Sequence, residues 1–250
     1  DAVQYAFNLW RPTLYFTNIK LNGPVAVASK GCIKDPGKHY ALRNYPNFQD
    51  VDTEYDEKYD AFMAWKKDRP CVYLQGLTNY SRADVESVNA VLSYPDIVAV
   101  VVGSMQDRAK QELEEKWGKQ VLEERVFFVG QIPQLKIPQY VSQCFTTLVF
   151  YKNVRPNNWY CEANRFYQAA ILGLPVVVGN NPPMKELVEK YNLGVVANTD
   201  GSNVSEIIIG LQQVIHRRSQ YLESIEANKH FLTWDQQEGT MKQIVDKLIC

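Results

Sequence analysis

From residue 71 onward the chain alternates between short, continuous apolar runs and stretches with helical apolar spacing. The runs are Cys71–Gly76 (CVYLQG), Ile97–Gly103 (IVAVVVG), Arg125–Gly130 (RVFFVG), Thr146–Tyr151 (TTLVFY), Pro175–Asn180 (PVVVGN) and Leu193–Asn198 (LGVVAN). They lack the in–out alternation of a half-solvated strand, so each is predicted to be a strand buried on both faces, as in a parallel sheet. Between them, Val85, Val88 and Leu92 share one face of a helix. Val204, Ile207, Ile208, Leu211, Val214 and Ile215 line a later one. Strand–helix alternation over six units predicts an α/β fold, a Rossmann-like parallel sheet with helices on both faces. Such a sheet takes its ligand outside the carboxyl ends of the strands. The loops after Gly76, Gly103, Gly130, Tyr151 and Asn180 are therefore where chemistry is expected.

The first 70 residues read differently. Val25–Ser29 and Tyr40–Arg43 are predicted to be two short strands, followed by Asn44-Tyr45-Pro46-Asn47 and a polar, acidic stretch. Residues 1–47 are too few to bury a core of their own. They are expected to be the tail of a domain whose beginning is missing, residues 48–70 a linker, and 71–250 the Rossmann-like domain with C-terminal helices. The last of these helices is predicted over Thr233–Leu248, capped by Thr233. The tail is expected to dock on it around Trp234 or to pack with a neighbouring chain.

Composition narrows the function classes. With 250 residues, 46% of them hydrophobic, the chain can bury one good core plus extra elements, or two small ones. A formal net charge of −1 leaves no basic footprint for nucleic acid. No apolar run approaches a membrane span, and Asp1 opens no signal-peptide pattern. The five cysteines (32, 71, 144, 161, 250) form no Cys-x-x-Cys pair and read as buried thiols of a reduced, cytoplasmic compartment. The three histidines show no ligand spacing, so no metal is expected. Asp50-Val51-Asp52 has the form of a metal-diphosphate pair but follows no strand, and it reads as solvated linker.

Three loops carry candidate chemistry. Ser81-Arg82-Ala83-Asp84 matches a capping box behind the Gly76 loop. A helix start there, with Arg82 beside it, suits a phosphate, although this loop by itself reads best as a plain capped helix. In NNWYCEANRFYQAAILGLP (157–175), Glu162, Asn164, Arg165 and Gln168 crowd the start of a helix at the ligand edge. A carboxylate or amide one turn into such a helix can hold the vicinal hydroxyls of a ribose; the alternative is a polar outer face. Gly179-Asn180-Asn181-Pro182-Pro183 opens another helix. Its backbone amides could meet a sugar or phosphate, or it is simply a turn.

Together these loops resemble glycosyltransferase family 4, of the GT-B architecture, over roughly residues 40 to 249. Gly76…Arg82 is similar to that family's Gly…Lys/Arg segment. Glu124–Gly130 (ERVFFVG) is similar to its R-V-x-F-x-G strand. Asn164–Val177 (NRFYQAAILGLPVV) is similar to its N-K-x-x-E-A-x-x-x-G-x-P-V-V helix and strand, the most specific of the three. The resemblance implies the C-terminal, nucleotide-sugar-binding domain of a retaining, metal-independent hexosyltransferase. No cofactor is implied beyond the nucleotide-diphosphate sugar as donor. The implied acceptor is a polysaccharide, oligosaccharide or lipid-linked sugar, which leaves open peripheral association with the inner face of a membrane. Arg82 matches the basic residue on the diphosphate leaving group, and Gln131 and Ile132 match the loop beside the nucleobase. Gly76, Gly103, Asn164, Arg165, Gln168, Asn180 and Asn181 complete the implied donor site. Two departures stand out. The family's Glu-x7-Glu positions are Tyr160 and Gln168 here, with Glu162 as the stand-in catalytic carboxylate, and Leu77 replaces an arginine often found after the loop glycine. These departures motivate the alternative of a non-catalytic nucleotide-sugar-binding module. A nucleotide-sugar epimerase ranks last, because its acidic and histidine loop residues are not evident.

Overall fold

The computed structural model describes Arg43, Tyr45, Pro46 and residues 54–76 and 80–249. The strands expected at 25–29 and 40–42 and the Asp50-Val51-Asp52 pair lie outside the described residues. All six apolar runs are strands: β1 (Cys71–Gln75), β2 (Val98–Val102), β3 (Val126–Gly130), β4 (Thr146–Val149), β5 (Val176–Val178) and β6 (Gly194–Val196). They form one parallel sheet in the order β3-β2-β1-β4-β5-β6. The strand order reverses between β1 and β4, which makes that gap the topological switch point.

Among the described residues up to 228, ten helices accompany the sheet: α1 (Glu57–Lys66), α2 (Asp84–Leu92), α3 (Asp107–Trp117), α4 (Lys119–Arg125), α5 (Ile137–Val141), α6 (Pro156–Trp159), α7 (Asn164–Ile171), α8 (Pro182–Tyr191), α9 (Val204–His216) and α10 (Arg218–Asn228). α11 (Asp235–Ile249) closes the described chain. Alternate strand residues feed two cores. Val98, Val100 and Val102 pack with Phe62, Tyr140 and Phe166 on one face, while Ala99 and Val101 pack with Val88, Leu113 and Leu211 on the other. Every residue of β2 is therefore buried, as the continuous apolar run requires. Each fully buried Val or Phe contributes roughly 1.5–3 kcal/mol of apolar transfer. The sheet closes tightly at its β5–β6 edge, where a Cβ on Gly194 would lie 1.9 Å from the Val176 carbonyl oxygen, so only glycine fits. Among the described residues no helix is long and apolar enough to cross a membrane.

Three local expectations are corrected. The stretch read as a linker over 48–70 contains α1. Asp56 caps it by accepting from the Tyr59 backbone N–H at 3.0 Å, and Tyr59 and Phe62 are buried on the sheet. Phe62 meets the rings of Tyr140 and Phe127 at 5.3 and 5.7 Å. Lys136, beyond β3, donates to the Asp56 carboxylate at 2.9 Å and, with the Tyr59 N–H, holds its pKa below the usual range. Second, Ser81 does not cap α2. Residues Tyr80–Arg82 form a 3-10 turn, Ala83 takes a left-handed conformation, and the Asp84 carboxylate is drawn to Arg165 instead. Third, Thr233 does not cap α11. Its hydroxyl donates to the His230 carbonyl at 3.0 Å, and the helix begins at Asp235.

If α1 is part of this core, Phe62→Ala should destabilise the fold by about 3–5 kcal/mol. Urea unfolding followed by circular dichroism measures it; a loss under about 1 kcal/mol would show that α1 is a detachable tether.

Candidate functional site

The carboxyl ends of β1, β2 and β3 are built from glycine. The Gly76 N–H donates to the Val102 carbonyl at 2.9 Å, and the Gly103 N–H to the Gly130 carbonyl at 2.8 Å. Gly103 has φ +121°, and a Cβ there would lie 2.2 Å from the Gly76 carbonyl oxygen. Backbone thus packs directly on backbone, and this edge stays low and open to a ligand.

Two arginines converge over this floor. A Cβ on Gly76 would lie 2.9 Å from Arg82 Nη1 and 3.9 Å from Arg165 Nη1. Both guanidinium groups also face the Tyr151 ring, with Cζ atoms 5.7 and 5.3 Å from its centroid. The two are held differently. Arg165, on the first turn of α7, is buried. Its Nη1 donates to the Gln75 carbonyl at 2.6 Å and pairs with Asp84 at 3.3 Å, and its Nη2 donates to the Phe150 carbonyl at 3.2 Å. Burial works against its charge, but Tyr151 and Asp84 outweigh that, so its pKa is raised. Arg82, on the 3-10 turn, is half-buried and stands at the mouth.

Gln168 is buried one turn further along α7, and its Oε1 accepts from the Gln75 Nε2 at 2.9 Å. The amide therefore stands at the end of β1, beside Gly76. Glu162 is placed differently from its expected catalytic role. It has no exposed surface; one carboxylate oxygen takes the Arg43 guanidinium and the other takes the Tyr167 hydroxyl. Burial pushes its pKa up to about 7, against the pull of Arg43 and the Tyr167 hydrogen bond.

The remaining expected residues are scattered around this centre. Gln131 is exposed, its carbonyl accepting from Lys58 of α1 at 3.3 Å, and Ile132 packs against the core beside it. Asn164 is exposed at the first position of α7. Asn181 is the N-cap of α8 but makes no side-chain cap bond. Its amide is buried, and both of its polar atoms, like Asn180 Oδ1, lack a hydrogen-bond partner. Pro182 and Pro183 fill the first two positions of α8 and have no N–H to offer, and the Asn180 N–H donates to the Thr199 carbonyl at 2.9 Å.

Sequence reasoning passed over Gln75, Asp84 and Tyr151. Gln75 had a signal, as the lone polar residue in its apolar run. Asp84 was assigned to a cap, and Tyr151 to an ordinary strand end. Among the described residues no group of three or more His, Cys, Asp or Glu stands close enough to hold a metal. A cavity of about 630 Å³, lined by residues such as Pro70, Cys71, Ile97 and Cys144, lies at the amino ends of the strands. That is the edge opposite the one a doubly wound sheet uses. Its thiols are buried, and burial raises the pKa of Cys144.

Comparison with known proteins places this geometry. The family model for glycosyl transferases group 1 matches residues 84–231. A search of the curated proteins finds no match. Among solved structures, the chain is similar to Anabaena HepE in complex with UDP and glucose, with a TM-score of 0.68 and 16% identity, covering 85% of this chain and 58% of that one. It is similar to sucrose-phosphate synthase from Thermosynechococcus elongatus, with a TM-score of 0.61 and 17% identity, covering 85% of this chain and 53% of that one. It also matches the C-terminal domain of a glycosyl transferase group 1 family protein from Francisella tularensis, with a TM-score of 0.52 and 18% identity, covering 75% of this chain and 95% of that one. The chain thus spans little more than half the length of HepE and of the synthase. At these identities the likeness establishes the fold alone, a Rossmann-like α/β domain of the GT-B architecture.

The two arginines should separate by experiment. Arg165→Met removes the pair with Asp84 and the hydrogen bonds to the Gln75 and Phe150 carbonyls, and is expected to cost about 3–5 kcal/mol of stability. Arg82→Met is expected to cost less than about 1 kcal/mol. Thermal and urea unfolding of both variants checks this; equal losses would mean that Arg82 is as structural as Arg165.

Proposed function

The chain belongs to the glycosyl transferases of group 1, and we propose that it binds a nucleotide-diphosphate sugar at the carboxyl edge of β1, acting as the donor half of a metal-independent, retaining transferase. The observation that carries this reading is Arg82, poised beside Arg165 over the glycine floor of a doubly wound sheet. A diphosphate leaving there as a dianion meets a cation that can donate two hydrogen bonds, next to a second cation fixed in place. The C1–oxygen bond of the donor breaks with its electron pair going to the diphosphate. Arg82 stabilises that charge, and the acceptor hydroxyl oxygen then bonds to C1 on the face the diphosphate leaves, its O–H bond breaking and the proton passing to the departing diphosphate oxygen. The fixed Arg165 adds field without reorganising, because its hydrogen bonds are already made to the strand ends.

Gln168, held by Gln75, is the residue assigned to the ribose. Gly103, Gln131 and Ile132 border the nucleobase, and Asn164, Asn180 and Asn181 the sugar. Asn181 is suited to this, since its buried amide has donor and acceptor capacity left over. HepE has also been solved with UDP-glucose, which makes uridine nucleotides the first probes to use. The acceptor is a polysaccharide, oligosaccharide or lipid-linked sugar, met at a cytoplasmic membrane face or in solution.

A second reading has one observation in its favour. Glu162 is the only carboxylate between Lys152 and Lys185, and both its oxygens are occupied. A chain with no free carboxylate on that loop fits a non-catalytic binding module. Donor hydrolysis or transfer by the protein would exclude that reading.

Two measurements test the main one. Calorimetry with UDP and GDP, with and without chelator, should give binding that chelator leaves unchanged; loss of binding on chelation would overturn metal independence. Arg82→Ala should weaken UDP binding by about 1.5–3 kcal/mol while leaving uridine nearly unaffected. An equal loss for nucleoside and diphosphate would place Arg82 away from the phosphates.

A further inference from the structure

We propose that Arg43 is a positioning residue for donor binding: through Glu162 and Tyr167 it fixes the start of α7, the helix that carries Arg165 and Gln168 to the ligand edge. This rests on the donor-binding reading above.

The geometry is a clamp. Arg43 lies outside the sheet domain in sequence, yet its guanidinium reaches Glu162, two residues before α7. Glu162 also takes the Tyr167 hydroxyl, so one carboxylate joins the incoming segment to the first two turns of the helix. Two further contacts hold the segment. The Tyr45 ring meets the Tyr167 ring edge-on at 4.9 Å, and the Arg43 backbone N–H donates to Gln237 of α11 at 2.9 Å. Tyr167 and Gln168 are consecutive on α7, so any shift of Tyr167 moves the amide beside the ligand edge. A carboxylate with no exposed surface cannot keep its charge without compensating donors. Removing Arg43 therefore leaves Glu162 to take up a proton or to move, and in either case the start of α7 loses a tether.

The clamp is sensitive to protons. Burial raises the pKa of Glu162 to about 7; Arg43 and the Tyr167 bond lower it, and Glu186 of α8 raises it. Tyr45 faces Arg43, and Tyr191 of α8 faces Tyr45. Because Arg43 favours the ionised carboxylate, linkage requires that protonating Glu162 weaken its hold on Arg43. The clamp is closed above neutrality and slack below it.

The test is calorimetry of the whole chain with UDP-glucose and GDP-mannose, at about pH 8 and about pH 6, with melting curves as the control for folding. These donors are diphosphate diesters and carry no proton that titrates in this range, so any acid effect belongs to the protein. Wild type should bind roughly three- to tenfold more weakly at the lower pH. Arg43→Met should bind at that weaker level at both pH values, Glu162→Gln should lose the pH dependence, and Arg43→Lys should recover part of the affinity. Wild-type affinity and wild-type pH profile in Arg43→Met would overturn the inference, as would an unchanged profile in Glu162→Gln. If Arg43→Met does not fold, the wild-type and Glu162→Gln profiles decide alone. Failure of wild type to bind either donor at either pH would overturn the donor reading itself, and this inference with it.

Discussion

The arrangement of the site depends on one buried cation. Arg165 projects from α7 into the gap between β1 and β4, where the strand order reverses, and binds the carbonyls of Gln75 at the end of β1 and Phe150 just past β4. The same guanidinium pairs with Asp84 at the first position of α2. It therefore ties two strands and two helices at one point. A buried guanidinium is costly to desolvate, so it requires acceptors close by, and both of its Nη atoms have them. Here that requirement fixes where α7 begins relative to the sheet.

What the ligand edge offers follows from that anchor. With α7 pinned, Gln168 stands against Gln75, and the guanidinium groups of Arg165 and Arg82 both lie over the Tyr151 ring. The glycines at 76 and 103 keep the floor flat, because a side chain at either position would strike backbone or guanidinium. One arginine is structural and the other stands at the mouth. That division of labour is what lets a site hold a mobile anion without itself rearranging.

The carboxylate that the motif comparison nominated for catalysis is absorbed into the scaffold. Glu162 lies two residues from the family's usual position, and that offset turns it inward. There Tyr167 and Arg43 claim both of its oxygens. The side chains gathered at this edge are amides, Gln75, Gln168, Asn180 and Asn181, and of these Gln168 stands where the resembled motif has a glutamate. Amides bind hydroxyls without adding negative charge beside the two arginines, and they bind them more weakly than carboxylates do.

The sequence by itself determined the sheet. Six continuous apolar runs, each flanked by helical spacing, read as parallel strands covered on both faces; all six are parallel strands, and the edge strands β3 and β6 are only partly buried. The strand-end glycines and the helix–Gly-x-Pro–strand pattern also mark the carboxyl edge of the sheet, where Arg82, Arg165 and Gln168 gather. Several side-chain assignments could be made only in three dimensions. Ser81 and Asp84 have the spacing of a cap, but Arg165, 81 residues away, is a stronger partner for the carboxylate than a backbone N–H. The acidic run around α1 hides Tyr59, Phe62 and Met63, whose apolar face shows only when the sheet is there to cover it. Glu162 reads as a free acid until Arg43, 119 residues before it, arrives from another segment. In each case local pattern fixes what a stretch of backbone becomes, while charge pairing in the interior is settled by which groups the fold brings within a few ångströms, and that is a property of no single stretch.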